Sequence, residues 1–279
     1  MIRFEPLCLC TNSVPGKDLF HALDLAQACG FTHVELAAID GISEQVNVDR
    51  LTPAALDQIR EGLARRGLVC FAVSGHCDMT DPHSFRRLLE KIRFAGAMGA
   101  RFLNTRCGPP ERYGVFLQHV REAAALAGDL GVTLQLESYG DIVGLSGQCG
   151  PVFEALQGLG VGYTYDTGNN FRFARGDVNQ AADLRTGAVT PTYLHLKDAS
   201  LRDGWIYNEA IGSGQLDLPG ILSALEERAP SIPCGLELPI SFRVWAADLS
   251  FDFLTPDDQA VLKTIRSSLD YLRQHASFV

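Results

Sequence analysis

Short runs of apolar, β-branched and aromatic residues alternate with longer amphipathic stretches along the whole chain. The runs predict strands at 6–10, 33–37, 69–74, 101–105, 132–137, 162–166, 192–196 and 234–238. Between and after them, the wider hydrophobic period predicts helices over Lys17–Cys29, Pro53–Arg66, Pro82–Met98, Glu111–Leu130, Gly150–Leu159, Asp177–Leu184, Leu218–Arg228 and Pro256–Gln274. Local punctuation agrees. Gly30, Gly67, Gly99 and Gly131 each stand just past a helical stretch, where a left-handed cap is wanted. Thr52-Pro53 and Asp81-Pro82 pair an N-cap side chain with proline at the first helical position. Eight β-then-α units run in one series, with no linker or low-complexity tract between them. This predicts an α/β chain folded as a single (β/α)8 TIM barrel over residues 1–279. An open doubly wound sheet is the competing architecture, but the glycine-rich dinucleotide fingerprint is missing after the first strand.

Composition narrows the partners. The 279 residues suit a barrel of this kind, and 46% hydrophobic with 20% charged residues describes a globular chain with a large core. A net charge of −9 argues against a nucleic-acid partner, which would ask for a basic face, and leaves a small molecule open. No apolar run approaches the roughly 18 residues that span a membrane, so no membrane partner is expected. Met1 leads almost at once into a strand-like stretch, so no secretory leader is expected either. The eight cysteines form no paired CxxC spacing. Cys8 and Cys10 share one face of the first strand and read as small buried residues, a usage that fits the reducing cytoplasm.

In such a barrel, chemistry collects at the C-terminal ends of the strands. Four strands end on a metal-ligating residue type: Glu137 closes VTLQLE, Asp166 closes GYTYD, His195 lies in TYLHLKD and Glu237 in CGLELP. Their spacings of about 29, 29 and 42 residues put them on four successive strands facing one mouth. Taken singly, a glutamate at a strand end is more often solvated or salt-bridged, and a histidine in an apolar strand is usually a hydrogen-bonded core residue. Four acceptors closing four consecutive strands make a pattern that chance seldom gives. Unpaired charge inside apolar strands is expensive, and a bound cation removes that expense. Three carboxylates and an imidazole favour one divalent metal ion, Mn²⁺ or Mg²⁺ first, with Co²⁺ or Zn²⁺ as alternatives.

The segments LES at 136–138, YDTGN at 165–169, LHLKD at 194–198, IGSGQLDLPGIL at 211–222 and LELP at 236–239 resemble the xylose-isomerase-like barrel superfamily. That superfamily includes ketose 3-epimerases, hydroxypyruvate isomerase, inosose dehydratase, a dehydroshikimate dehydratase and endonuclease IV. The resemblance extends over essentially the whole chain, and is strongest from residue 132 onward. It implies that Glu137, Asp166, His195 and Glu237 are metal ligands, and that Glu137 and Glu237 exchange a proton on opposite faces of a polyhydroxy carbonyl substrate. The metal-polarised carbonyl acidifies the neighbouring C–H, and one carboxylate removes that proton to give an enediolate. Proton return from the other side epimerises, return to the adjacent carbon isomerises, and loss of a β-hydroxyl dehydrates.

Substrate-contact candidates are His76 after the third strand, Asn104 and Arg106 closing the fourth, and Lys197 two residues beyond His195. Arg202 lies in the loop where epimerases place a substrate arginine, and Asn169 stands where many have histidine in a DxxH motif. Glu35 on the second strand is a candidate to orient other groups. Histidines 21, 33, 83, 119 and 275 carry no assigned role. The substitution at Asn169 keeps a dehydratase of a keto-cyclitol or keto-acid open beside the isomerase or epimerase. Abasic-site endonuclease activity is disfavoured by the missing histidines and the acidic charge, and a non-catalytic barrel by the presence of all four ligands. Neither a P-loop nor an arginine cluster is visible, which favours an unphosphorylated substrate. The apolar 239–255 loop needs cover, from the mouth or from a second copy in a homo-oligomer.

Overall fold

Eight strands run parallel and close on themselves. They are β1 (Arg3–Cys10), β2 (His33–Ile39), β3 (Val69–Ser74), β4 (Phe102–Thr105), β5 (Thr133–Glu137), β6 (Gly162–Asp166), β7 (Tyr193–Leu196) and β8 (Ser231–Leu236). Each pairs in parallel with the next, and β1 pairs with both β2 and β8, which closes the barrel. The computed structural model describes residues 1–14, 16 and 18–278. Among these, no helix is long and apolar enough to cross a membrane.

The outer ring is built from α1 (Leu19–Ala28), α2 (Pro53–Arg65), α3 (Pro82–Ala97), α4 (Tyr113–Asp129), α5 (Gly150–Ala155), α6 (Thr167–Phe173), α7 (Gln180–Thr186), α8 (Leu218–Arg228) and α9 (Asp258–His275). Its boundaries follow the predicted punctuation. Thr52 Oγ1 accepts from Ala55 N at 3.2 Å and Asp81 Oδ1 from Ser84 N at 2.8 Å, each ahead of a proline in the first turn. Gly30, Gly67, Gly99 and Gly131 all adopt positive φ behind their helices. The predicted start of the first helix at Lys17 lies outside the described residues.

Two features depart from the sequence reading. A helix, α6, follows β6 without a loop, because Asp166 both ends the strand and caps the helix by accepting from Asn169 N at 2.8 Å. Over the mouth lies an antiparallel sheet of Asp198–Arg202, Trp205–Glu209, Phe242–Trp245 and Phe251–Phe253. It takes up much of the apolar 239–255 loop, burying Phe242 and Val244 against Phe171 and Ile206, while Phe251 and Phe253 stay exposed.

The barrel interior changes character with height. Near its base Phe102 and Tyr193 pack edge to face at 5.4 Å beside Ala72. Polar side chains follow: Thr164 Oγ1 donates to Asn104 Oδ1 at 2.7 Å, and Asn104 Nδ2 donates to Glu35 at 2.8 Å. Gly235 on β8 leaves room at this level. A Cβ there would stand 2.7 Å from Cys10 Sγ and 2.9 Å from the His195 ring.

Candidate active site

Glu137 and Asp166 are the last residues of β5 and β6, His195 lies in β7, and Glu237 directly follows β8. One ligand atom from each of the four lies within 4.8 Å of all the others, and all four residues are buried. Both glutamates show the same asymmetry. Glu137 Oε1 accepts from Asn169 Nδ2 at 3.2 Å and faces His195 Nδ1 at 2.8 Å, whereas its Oε2 is buried without a hydrogen bond. Glu237 Oε1 accepts from Asn12 Nδ2 at 2.7 Å and pairs with Lys197 Nζ at 3.0 Å, while its Oε2 forms no hydrogen bond but lies 3.2 Å from His195 Nδ1. Each Oε2 faces only an imidazole nitrogen, that of His76 for Glu137 and of His195 for Glu237. Two such oxygens beside an aspartate and an imidazole form a donor set that fits a hard or borderline dication.

Below the cluster, Glu35 holds the histidine. Its carboxylate accepts from Ser74 Oγ at 2.5 Å, Asn104 Nδ2 at 2.8 Å and Tyr193 OH at 2.7 Å, and lies 3.0 and 3.1 Å from His195 Nε2. An ionised carboxylate only accepts, so Nε2 carries its proton toward Glu35, and Nδ1 is the nitrogen aimed at the cluster. This carboxylate–imidazole pairing is how metal-ligating histidines are oriented. Cys10 Sγ also lies near Glu35, at 3.6 Å, but burial, followed by the Glu35 charge, pushes its thiol well up, so it stays neutral there.

Crowding perturbs Glu35, Glu137, His195 and Asp166. Burial alone would raise Glu35, but the charge and hydrogen bond of His195 bring its carboxyl down to about 2. Burial works against Glu137 too, yet His76 and His195 hold it well below the usual carboxylate range. Burial would lower His195, but Glu35, Glu237 and Glu137 push it well up. Asp166 is raised to about 8 by burial, with Glu137 and Glu237 adding to the rise, although Lys197 Nζ sits 2.7 Å away and opposes it. Without a cation, the cluster therefore holds protons that a dication would displace. Lys197 is admitted by Gly168, where a Cβ would lie 2.6 Å from the lysine Cδ.

A cavity of about 300 Å³ opens above the cluster. His76, Asn169 and Lys197 all face it, along with Glu237, and His76 Nδ1 lies 3.0 Å from Glu137 Oε2. Asn104 and Arg202 are not brought to it. Asn104 is one level lower, fully engaged with Glu35 and Thr164. Arg202 is half-exposed on the outer sheet, paired with Glu209 and stacked over Tyr207 at 3.9 Å. The antiparallel pairing of its strand with Trp205–Glu209 turns it away. Sequence reasoning missed Asn12, Tyr139 and Arg172, which line the same cavity. Asn12 and Tyr139 each stand two residues beyond a recognised strand-end position, Cys10 and Glu137, so the strand period pointed to them. Arg172 was hidden because α6 was not foreseen; it lies three residues after Asn169, on the same helix face.

Fold and site together define a closed parallel barrel whose mouth brings four possible metal-ligating side chains together beside a cavity. The sequence matches the xylose isomerase-like TIM barrel family over residues 23–272, and the chain belongs to that family. A comparison with curated protein sequences finds no match. Solved structures share the fold at low identity. D-allulose 3-epimerase from Methylomonas sp. superimposes with a TM-score of 0.73 at 16% identity, covering 99% of each chain. D-psicose 3-epimerase from Clostridium cellulolyticum gives 0.70 at 12% identity, again over 99% of each chain. A xylose isomerase domain containing protein from Salmonella typhimurium gives 0.69 at 16% identity, over 98% of this chain and 99% of its own.

Proposed function

We propose that this chain is a divalent-metal-dependent isomerase or epimerase of a small polyhydroxy carbonyl compound. The observation that carries the reading is the shared asymmetry of Glu137 and Glu237, each with one oxygen tethered by an asparagine amide and the other facing only an imidazole. Similarity to 3-epimerases of allulose and psicose supports the same class. Glu137, Asp166, His195 and Glu237 would hold the ion, Mn²⁺ or Mg²⁺ by donor chemistry. When bound, it supplies Lewis-acid polarisation of the substrate carbonyl.

The protein's own groups do the rest. Asn169 holds Glu137 and Asn12 holds Glu237 through their Oε1 atoms, fixing both carboxylates at the cavity floor to take and return the proton beside the carbonyl. His76 and Lys197 face the cavity and donate to substrate oxygens, and burial of the cluster excludes water from the transferred proton. We assign the whole chain to one barrel domain and place it in the cytoplasm, in keeping with its eight free cysteines.

Proton NMR in D₂O over a panel of ketoses, keto-acids and keto-cyclitols tests the reading. Deuterium entering next to the carbonyl, with a product of unchanged composition, is expected. Loss of water from the product would instead make the enzyme a dehydratase on the same site.

A further inference from the structure

Two arginines that line the cavity form no ion pair among the described residues. The cavity's acidic residues above the cluster are already engaged. Asp40 accepts from Arg87 at 2.8 and 2.9 Å and pairs with Lys91 at 3.0 Å, and Asp78 Oδ1 accepts from Thr80 N and Oγ1 at 2.8 and 2.7 Å. Arg106 and Arg172 line the same space, and among the described residues neither forms an ion pair with a carboxylate. Asp141 feels the charge of Arg106 without contacting it.

Arg172 is only 9% exposed. Its guanidinium stacks over Tyr139, Phe173 and Phe251 at 5.2, 4.7 and 5.7 Å, and Arg106 stacks over Tyr139 at 5.5 Å. The rings fix the planes of both groups but accept no in-plane N–H, and Arg172 Nη2 is buried with no acceptor. Packing accounts for the stacking and leaves that N–H unexplained. Planar, pre-aimed guanidinium groups are how proteins grip carboxylates and phosphates. A neutral hydroxyl would meet the hydrogen bond but not the charge.

We propose that the substrate carries an acid group, carboxylate or phosphate, bound by Arg172 together with Arg106. The proposal rests on the isomerase reading above only for the other end of the substrate, where the carbonyl meets the ligand cluster. A carboxylate would agree with the unphosphorylated substrate expected from sequence, and a phosphate would depart from it. Arg106 follows β4 and Arg172 lies in α6, so only the closed barrel brings them to one cavity.

Titration calorimetry with D-fructose, D-fructuronate and D-fructose 6-phosphate tests this, because the acid groups sit at C6, away from the carbonyl. Each ligand is measured on metal-free and on Mn²⁺-loaded protein. At least one acid is expected to bind roughly 10- to 100-fold tighter than D-fructose in both states, and the preferred acid tells carboxylate from phosphate. The preference should fall toward unity in Arg172→Gln or Arg106→Gln; the second variant serves if the buried Arg172 proves necessary for folding. The idea is overturned if D-fructose binds as well as both acids, if none of the three binds, or if the preference survives in both variants. Failure of Mn²⁺ to bind would count against the active-site reading alone, since the acid preference is read independently in the metal-free protein.

Discussion

Replacing Glu35 by Gln would test how the barrel interior serves its mouth. The carboxylate is fully buried and accepts from Ser74, Asn104 and Tyr193 while facing His195 Nε2. Its carboxyl is held at about 2 against an ordinary 4.5, a preference for the charged form of about 3 kcal/mol. A depressed folded value means that this stability is fully present above the ordinary carboxylate range and is lost only as pH falls toward about 2. Glutamine keeps the shape but withdraws the charge and turns an amide N–H₂ toward groups that already donate. Urea unfolding of the metal-free variant at pH 7 should therefore show a loss of about 3 kcal/mol. The freed imidazole should also bind Mn²⁺ roughly 10- to 100-fold more weakly by calorimetry, the usual cost of removing a partner that orients a ligand. A variant with parent stability and parent Mn²⁺ affinity would refute the claim that Glu35 holds His195.

Glu137→Gln and Glu237→Gln should each abolish turnover while leaving the far-ultraviolet circular dichroism unchanged; robust activity in either would end the proton-transfer assignment. Because Asp166 is raised to about 8 in the fold, its protonated form stabilises the metal-free protein. That contribution is whole below about pH 4 and is lost as pH rises toward about 8, so added Mn²⁺ should raise the melting temperature more at pH 8 than at pH 6. An equal Mn²⁺ shift at both values would show that no proton is displaced. Gly235→Ala would press a methyl against Cys10 and the His195 ring, and should cost about 1–3 kcal/mol in urea unfolding together with weakened Mn²⁺ binding. A neutral effect on both would mean that the interior relaxes around it.

What could be read in the sequence was what local rules encode. All eight barrel strands appear close to their predicted positions, since each is a short apolar run flanked by capping and turn residues. The four-residue cluster was visible because each of its members sits at or beside the end of such a run. Glu35 was a candidate to orient other groups, but which group it meets is fixed only once barrel closure brings β2 within reach of β7. The outer sheet escaped for a related reason. Only its pairing of Trp205 with Trp245 joins distant segments, which no local period announces; its other pairings are short hairpins, Arg202 with Trp205 and Val244 with Phe251, set in what read as loops. Arg202 looked like a mouth residue until that pairing turned it outward. Arg172 was lost with α6, a helix too short to show a period and capped by a residue already assigned to a strand.

Whether Glu137, Asp166, His195 and Glu237 hold one divalent cation is tested by titrating metal-free protein with Mn²⁺, followed by electron paramagnetic resonance. One saturable site per chain is expected, lost in both Asp166→Asn and His195→Ala while the circular dichroism stays that of a folded barrel. Undiminished Mn²⁺ binding in those variants, or full turnover by rigorously metal-free protein, would contradict that assignment.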